Sequence, residues 1–192
     1  MPDMIKDGKG RGFVASVNKK NDLSVRNTTI QQHTRSAIDG NYYELTTGII
    51  TLGDSAEHGI IYLKNVETTT MIIDRMFFDA WQSVAGDSTY GGTLKYYKNP
   101  TVTGGDSITP TNTNFSKVDV KGVDLKNLAK MYGGTVWWSG RVAPASTTIV
   151  EEQRFCIPPG YSFGISYTPP DNNTSMKVSC NVAFYRFDME LL

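Results

Sequence analysis

The stretch MKVSCNVAFYRFD, residues 176–188, decides the fold class. Val178, Cys180, Val182 and Phe184 alternate with Lys177, Ser179, Asn181 and Ala183. Successive side chains of a strand point to opposite faces, so this period of two predicts one face in a core and one in a wetter setting. A strand reading, by period two or by a short β-branched and aromatic run, repeats up the chain at SFGISYT (162–168), TTIVEEQRFCI (147–157), TVWWSGRV (135–142) and TLKYYK (93–98). It holds again at TMIIDRMFFDAW (70–81), HGIIYLKN (58–65), ELTTGIITL (44–52) and GFVASV (12–17), with Gly, Pro, Asn and Thr between the runs. Helical spacing occurs at one place, GVDLKNLAKMYGG (122–134). There Leu125, Leu128, Ala129 and Tyr132 share a face, Asp124 can cap the start and Gly133 the end.

Many short strands, one short helix and several long connections predict an all-β antiparallel sandwich with an extended N-terminal arm. The expected architecture is jelly-roll-like, with other Greek-key sandwiches as the alternative, since strand order is not written in periodicity. A length of 192 residues suits one domain with an extension. The expected division is an arm and entry strand over 1–35 and a single sandwich over 36–192.

Charge narrows the classes of function. The chain has 19 basic and 19 acidic residues and no net charge, so a field that gathers nucleic acid is not expected. The first 35 residues are locally basic: Lys6, Lys9, Arg11, Lys19, Lys20, Arg26 and Arg35 face Asp3, Asp7 and Asp22. A basic, Gly-rich segment of this kind is either a solvated end or an arm that orders on a partner's surface. No apolar run is long enough to span a membrane and no signal-peptide pattern opens the chain, which predicts a soluble protein made in a cytosol. Cys156 and Cys180 both fall at inward positions of their strands, as free thiols or, less in keeping with a reducing compartment, as a disulfide.

Catalytic patterns fail on context. GYSFG, residues 160–164, matches a nucleophile elbow with Ser162 as nucleophile, but no helix follows it and the two histidines, His33 and His58, lie far upstream. GKGRG, residues 8–12, lacks the Gly-Lys-Ser/Thr ending of a phosphate loop. Glu151 and Glu152 are adjacent in a strand and point apart, unlike the paired acids of a glycosidase. Asp106 with Thr109 and Asn112, and Asp171 with Asn172 and Asn173, offer oxygens for calcium, yet such clusters more often form turns. No catalytic residue, metal ligand or cofactor is expected.

Aromatic doublets are the more informative feature: Tyr42-Tyr43, Phe77-Phe78, Tyr96-Tyr97 and Trp137-Trp138. In a strand each doublet sends one ring inward and one outward. The outward rings are covered either by the chain's own loops or arm, or by neighbouring copies.

YYKNPTVTGGDSITPTNTNFS (96–116), GIITLGDSAEHGIIYLKNVETTTMIID (48–74), CIPPGYSFGISYTPPDNNTSMKVSCNVAFYRFD (156–188) and the entry segment GFVASVNKKNDLSVRN (12–27) together resemble small virion structural proteins of tailed bacteriophages. The shared features are turn and strand signatures, so no functional residue carries over. The resemblance implies a jelly-roll sandwich present in several copies on the particle. The expected function is that of a non-enzymatic virion component, a capsid decoration (cement) protein that binds the assembled shell. Its expected partners are itself, as a homo-oligomer with a trimer preferred, and the major capsid protein or other virion proteins, with neither nucleic acid nor membrane. Its expected location is the virion, assembled in the bacterial host's cytoplasm. Candidate interface residues are Lys6, Lys9, Arg11, Lys19, Lys20, Arg26, Tyr96, Tyr97, Trp137 and Trp138. The alternative is a tail or baseplate module that recognises a cell-surface glycan, with the same Tyr and Trp rings stacking on sugar.

Overall fold

The computed structural model describes residues 4–6, 14–17, 23–25, 32–82, 91–117, 123–142, 147–151, 155–170 and 176–187. In chain order the elements are β1 (Met4–Lys6), β2 (Val14–Val17), β3 (Leu23–Val25), α1 (Gln32–Asp39), β4 (Tyr42–Thr46), β5 (Ile50–Leu52), β6 (His58–Asn65) and β7 (Thr70–Gln82). Then come β8 (Gly92–Lys98), β9 (Thr101–Thr103), β10 (Asp106–Ser107), β11 (Thr111–Asn112), β12 (Val123–Asn127) and β13 (Lys130–Tyr132). The last five are β14 (Thr135–Val142), β15 (Thr147–Glu151), β16 (Phe155–Ile157), β17 (Ser162–Thr168) and β18 (Met176–Phe187).

Two antiparallel sheets carry the fold, in the orders β10-β12-β6-β17-β8-β14 and β11-β4-β18-β7-β15, with β5 beside β18 and β16 beside β7. The long strands pair as a folded-over hairpin. The first, β4, lies on the last, β18; β6 lies on β17; β7 on β15 and β16; and β8 on β14. This nesting, split between two sheets, is the jelly roll, built from two Greek keys. Strands β1 to β3 form a separate three-stranded antiparallel sheet.

The core lies between the two large sheets. From one come Ile61, Leu63, Leu94, Tyr96, Phe163, Ile165 and Tyr167; from the other Leu45, Met71, Ile73, Phe78, Val178, Cys180, Val182 and Phe184. Phe78 and Tyr167 meet across the gap with ring centroids 5.4 Å apart. The alternation in residues 176–188 is therefore real, but its outer face is not simply wet. Ala183 and Tyr185 are buried with Tyr42 against Ala37 of α1.

Three expectations need correction. Residues 122–134 form β12 and β13 instead of a helix. Leu125 enters the core, Leu128 is exposed with φ +51, and Tyr132 is 47% exposed. An isolated helix of that length is marginal in water, whereas β12 gains a full ladder on the otherwise open edge of β6. The helix among the described residues is α1; an Arg35–Asp39 ion pair of 2.8 Å supports it and Gly40, φ +76, ends it. Finally, Cys180 is buried but Cys156 is exposed, and both are free.

Candidate functional site

The stretch 99–117, read as a punctuated loop, folds back as cover for the sandwich. Asn99, φ +53, turns the chain out of β8; Pro100 is buried, and β9 pairs with β13 while β10 pairs with β12. Asn is the residue that tolerates this left-handed backbone at least strain after glycine. The hairpin-like overlay lies on glycines. A Cβ on Gly164 would stand 2.6 Å from the sulfur of Met131 and 3.0 Å from Pro100, and one on Gly59 would collide with the carbonyl of Ala129. Further on, Asn112 Nδ2 donates to the Gly40 carbonyl at 2.9 Å and Asn114 Nδ2 to that of Ile38 at 2.9 Å. The spaced asparagines thus fasten the end of α1.

Three of the aromatic doublets obey the alternation, and in each both rings find cover or partial cover within the chain. Tyr43 stacks on Phe184 inside the core while Tyr42 stacks on Tyr185 beneath α1. Phe78 is buried; Phe77, half-buried, lies under the Arg75 guanidinium at 5.7 Å. Tyr96 is 2% exposed, and Tyr97, on the outer face, is 9% exposed with its hydroxyl donating to Glu57 Oε1. Tyr96 and Tyr97, expected as interface rings, are therefore not exposed stacking surfaces: the chain itself covers both.

Glu57 gathers that outer face into one polar knot. Its Oε2 accepts from Lys95 Nζ at 2.6 Å and its Oε1 from Ser166 Oγ at 2.5 Å as well as from Tyr97. Burial works against its charge, but the hydrogen bonds from Lys95, Ser166 and Tyr97 outweigh burial and hold the carboxyl below its ordinary range. Burial, then the bond to Glu57, pushes the Tyr97 phenol up. Every donor aims at one carboxylate, so the cluster fastens the 53–57 turn and presents no free nucleophile.

Ser162 is likewise structural. It is 8% exposed at the start of β17, and its N–H donates to Asn99 Oδ1 at 2.9 Å. In the β17–β6 register Ser162 faces Lys64 whereas His58 faces Tyr167. Six residues of strand separate those positions along β6, roughly 20 Å, which no proton transfer bridges. His58 is instead tied to Asp54 at 2.7 Å. No group of three or more His, Cys, Asp and Glu gathers as a metal site among the described residues.

The fourth doublet behaves differently. On β14 the register slips between Val136 and Trp138, leaving Trp137 as the extra residue of a bulge. Both indoles then reach the same ring: Tyr96 lies 4.7 Å from Trp138 and 5.6 Å from Trp137. Trp137 also meets Phe155 at 5.7 Å, Phe155 meets Phe163 at 4.9 Å, and Phe163 closes the circuit on Tyr96 at 5.9 Å. The circuit bridges the two sheets where β14 ends one of them. Against it opens a cleft of about 240 Å³, lined by Trp137, Phe155, Tyr161 and Phe163 with Lys98, Asn99 and Ser162 among its polar residues. Trp137 is 44% and Tyr161 49% exposed. Of the expected interface residues, the structure brings Trp137 to the exposed cleft, while Trp138 is partly buried against the core. Lys6 lies in β1, while Lys9, Arg11, Lys19, Lys20 and Arg26 fall outside the described residues, as do Asp171, Asn172 and Asn173. Sequence reasoning missed Tyr161, Phe155, Lys98 and Asn99 as parts of this site; the sequence signal was Asn99-Pro100, a turn forced just beyond an aromatic strand.

No family model matches the chain, and no curated protein does. Among solved structures it is similar to the T=1 particles derived from infectious bursal virus, with 12% identity and a TM-score of 0.21 over 91% of this chain and 44% of that one. It is also similar to infectious bursal disease virus of the Gt strain, with 13% identity, a TM-score of 0.21 and coverage of 100% and 47%. The Gx strain gives 11%, 0.22, 93% and 48%. The chain spans about half the length of each of these matched chains.

Proposed function

We propose that the chain is a non-enzymatic structural component of a virion, and specifically a decoration protein that binds the assembled shell of a tailed phage as a homo-oligomer, a trimer by preference. The observation that carries this reading is the β14 edge of the jelly roll. Among the described strands β14 ends its sheet, with Val136 and Trp137 roughly half exposed, so open backbone and apolar surface lie together there. Strand addition on such an edge joins copies or joins the protein to a shell subunit. The sequence resemblance to tailed-phage virion proteins supports the same role. So does the placing of Ser162 and His58 in separate structural bonds rather than in a nucleophile and base pair.

The basic segment from Lys6 to Arg26 is assigned the contact with shell subunits, so that binding stabilises the assembled particle by mass action. Deleting residues 1–26 and measuring occupancy on expanded shells tests it. Reduced occupancy is the expected result, and full occupancy removes the arm from the account. Light scattering on the purified chain tests the oligomer; a monomer at micromolar concentration overturns the trimer.

A further inference from the structure

The cleft beside Trp137 has three features that a merely structural edge does not require. A bulge brings a second indole onto Tyr96, although regular alternation would have sent Trp137 to the other face. Asn99 holds a left-handed backbone at the rim, and its Oδ1 is consumed by the N–H of Ser162 at 2.9 Å, which leaves its Nδ2 donor without a partner among the described residues. Lys98 also lines the cleft and makes no ion pair with a described residue, whereas Lys95 is paired to Glu57 at 2.6 Å and Arg75 to Glu44 at 2.6 Å. Bulges and strained backbone concentrate where a side chain must be aimed at something.

Among the described residues the lining has one cation and no carboxylate. We propose that this cleft binds an acidic sugar unit, a uronic or sialic-type ring. Its apolar face would stack on Trp137 and Tyr161, and its carboxylate would be met by Lys98 Nζ and Asn99 Nδ2. The volume, about 240 Å³, suits a single ring rather than a drug-sized ligand. An apolar side chain from a protein partner fits less well, because it would desolvate the Lys98 and Asn99 donors without satisfying them. The Lys98 ammonium also disfavours a cationic ligand. The inference concerns the isolated chain and does not depend on a place in a virion.

The test uses the full chain in solution with four probes: sialyllactose and trigalacturonate as acidic sugars, lactose and maltotriose as neutral ones. Binding is read by tryptophan fluorescence and by protection of the exposed Cys156 thiol, which lines the same cleft, from a maleimide; buried Cys180 does not compete. At least one acidic sugar is expected to bind and protect while neither neutral sugar does. Lys98→Gln, an exposed position, should weaken that binding roughly tenfold or more and erase the preference for acid. Tyr161→Ala should weaken it with the unfolding midpoint unchanged. Absence of acidic-sugar binding at millimolar concentration, equal binding of neutral sugars, or undiminished binding by Lys98→Gln overturns the proposal. Protection of Cys156 by N-acetyltryptophanamide alone would also overturn it, in favour of an apolar protein side chain as occupant.

Discussion

The two ends of the six-stranded sheet solve one problem in opposite ways. At the β6 end the chain supplies its own cover: β12 and β10 extend the sheet, and the β9–β13 pair lies over Gly59 and Gly164. At the β14 end no described strand follows, and half-exposed aromatic rings stand at the border. An edge strand that is covered is a finished part of a fold, and one that carries exposed rings is a surface for use. Substitutions should therefore be felt as lost stability at the first end and as lost binding at the second.

The largest stability effect is expected at Gly59. Valine there drives Cβ into the Ala129 carbonyl, which is backbone and cannot swing aside, so the overlay must lift; a loss of about 3 kcal/mol is expected by urea unfolding. A change below about 0.5 kcal/mol would mean that the overlay is not closely seated. Gly164→Ala is the milder version, because the Met131 thioether is flexible. It should cost about 1 kcal/mol alone and less in a Met131→Ala background, a double-mutant cycle that isolates the contact.

Glu57 gives a pH-dependent test of the same self-covered face. Its folded carboxyl lies below the ordinary 4.5. A depressed carboxylate contributes stability that is present above the unfolded value and is lost as pH falls through the folded one. The stability difference between wild type and Glu57→Gln should therefore be larger at pH 7 than at pH 3. About 1 kcal/mol is expected at neutral pH, modest because the side chain is a third exposed. An equal difference at both pH values would show that the Lys95, Tyr97 and Ser166 bonds contribute nothing as a charge-assisted set.

The legible part of this fold was its periodicity. Strands β6, β14 and β17 match their expected bounds, because each is a short β-branched and aromatic run held between Gly, Asn or Pro punctuation. What periodicity leaves out is register and cover. Leu125 and Ala129 are buried, as an amphipathic helix would have them, but a ladder on β6 and the underside of the overlay bury them instead. The doublet rule anticipated opposite faces for Tyr96 and Tyr97 without naming Glu57 as the outer ring's partner, since the pair is 40 residues apart. At Trp137–Trp138 the rule failed, because one extra residue in a ladder changes which way a side chain points and leaves no mark on composition. The cleft left little mark on the sequence for a related reason: Lys98 of β8, Phe155 of β16 and Tyr161 before β17 come together only when the two sheets pack.

The smallest stability effect, and the sharpest use of the contrast, is expected at Trp137. Its indole touches Tyr96 and Phe155 but remains 44% exposed, so little apolar area leaves the core when it is truncated. Trp137→Ala should shift stability by less than about 1 kcal/mol, far below the cost of emptying a buried aromatic site. If the stability instead falls by several kcal/mol, the ring is a plug that seals the sandwich between β14 and β16, and the two ends of the sheet differ only in how they are closed. If it holds while sugar binding or shell binding is lost, the bulge places an indole at the surface for a partner, and the open end is the working end of the molecule.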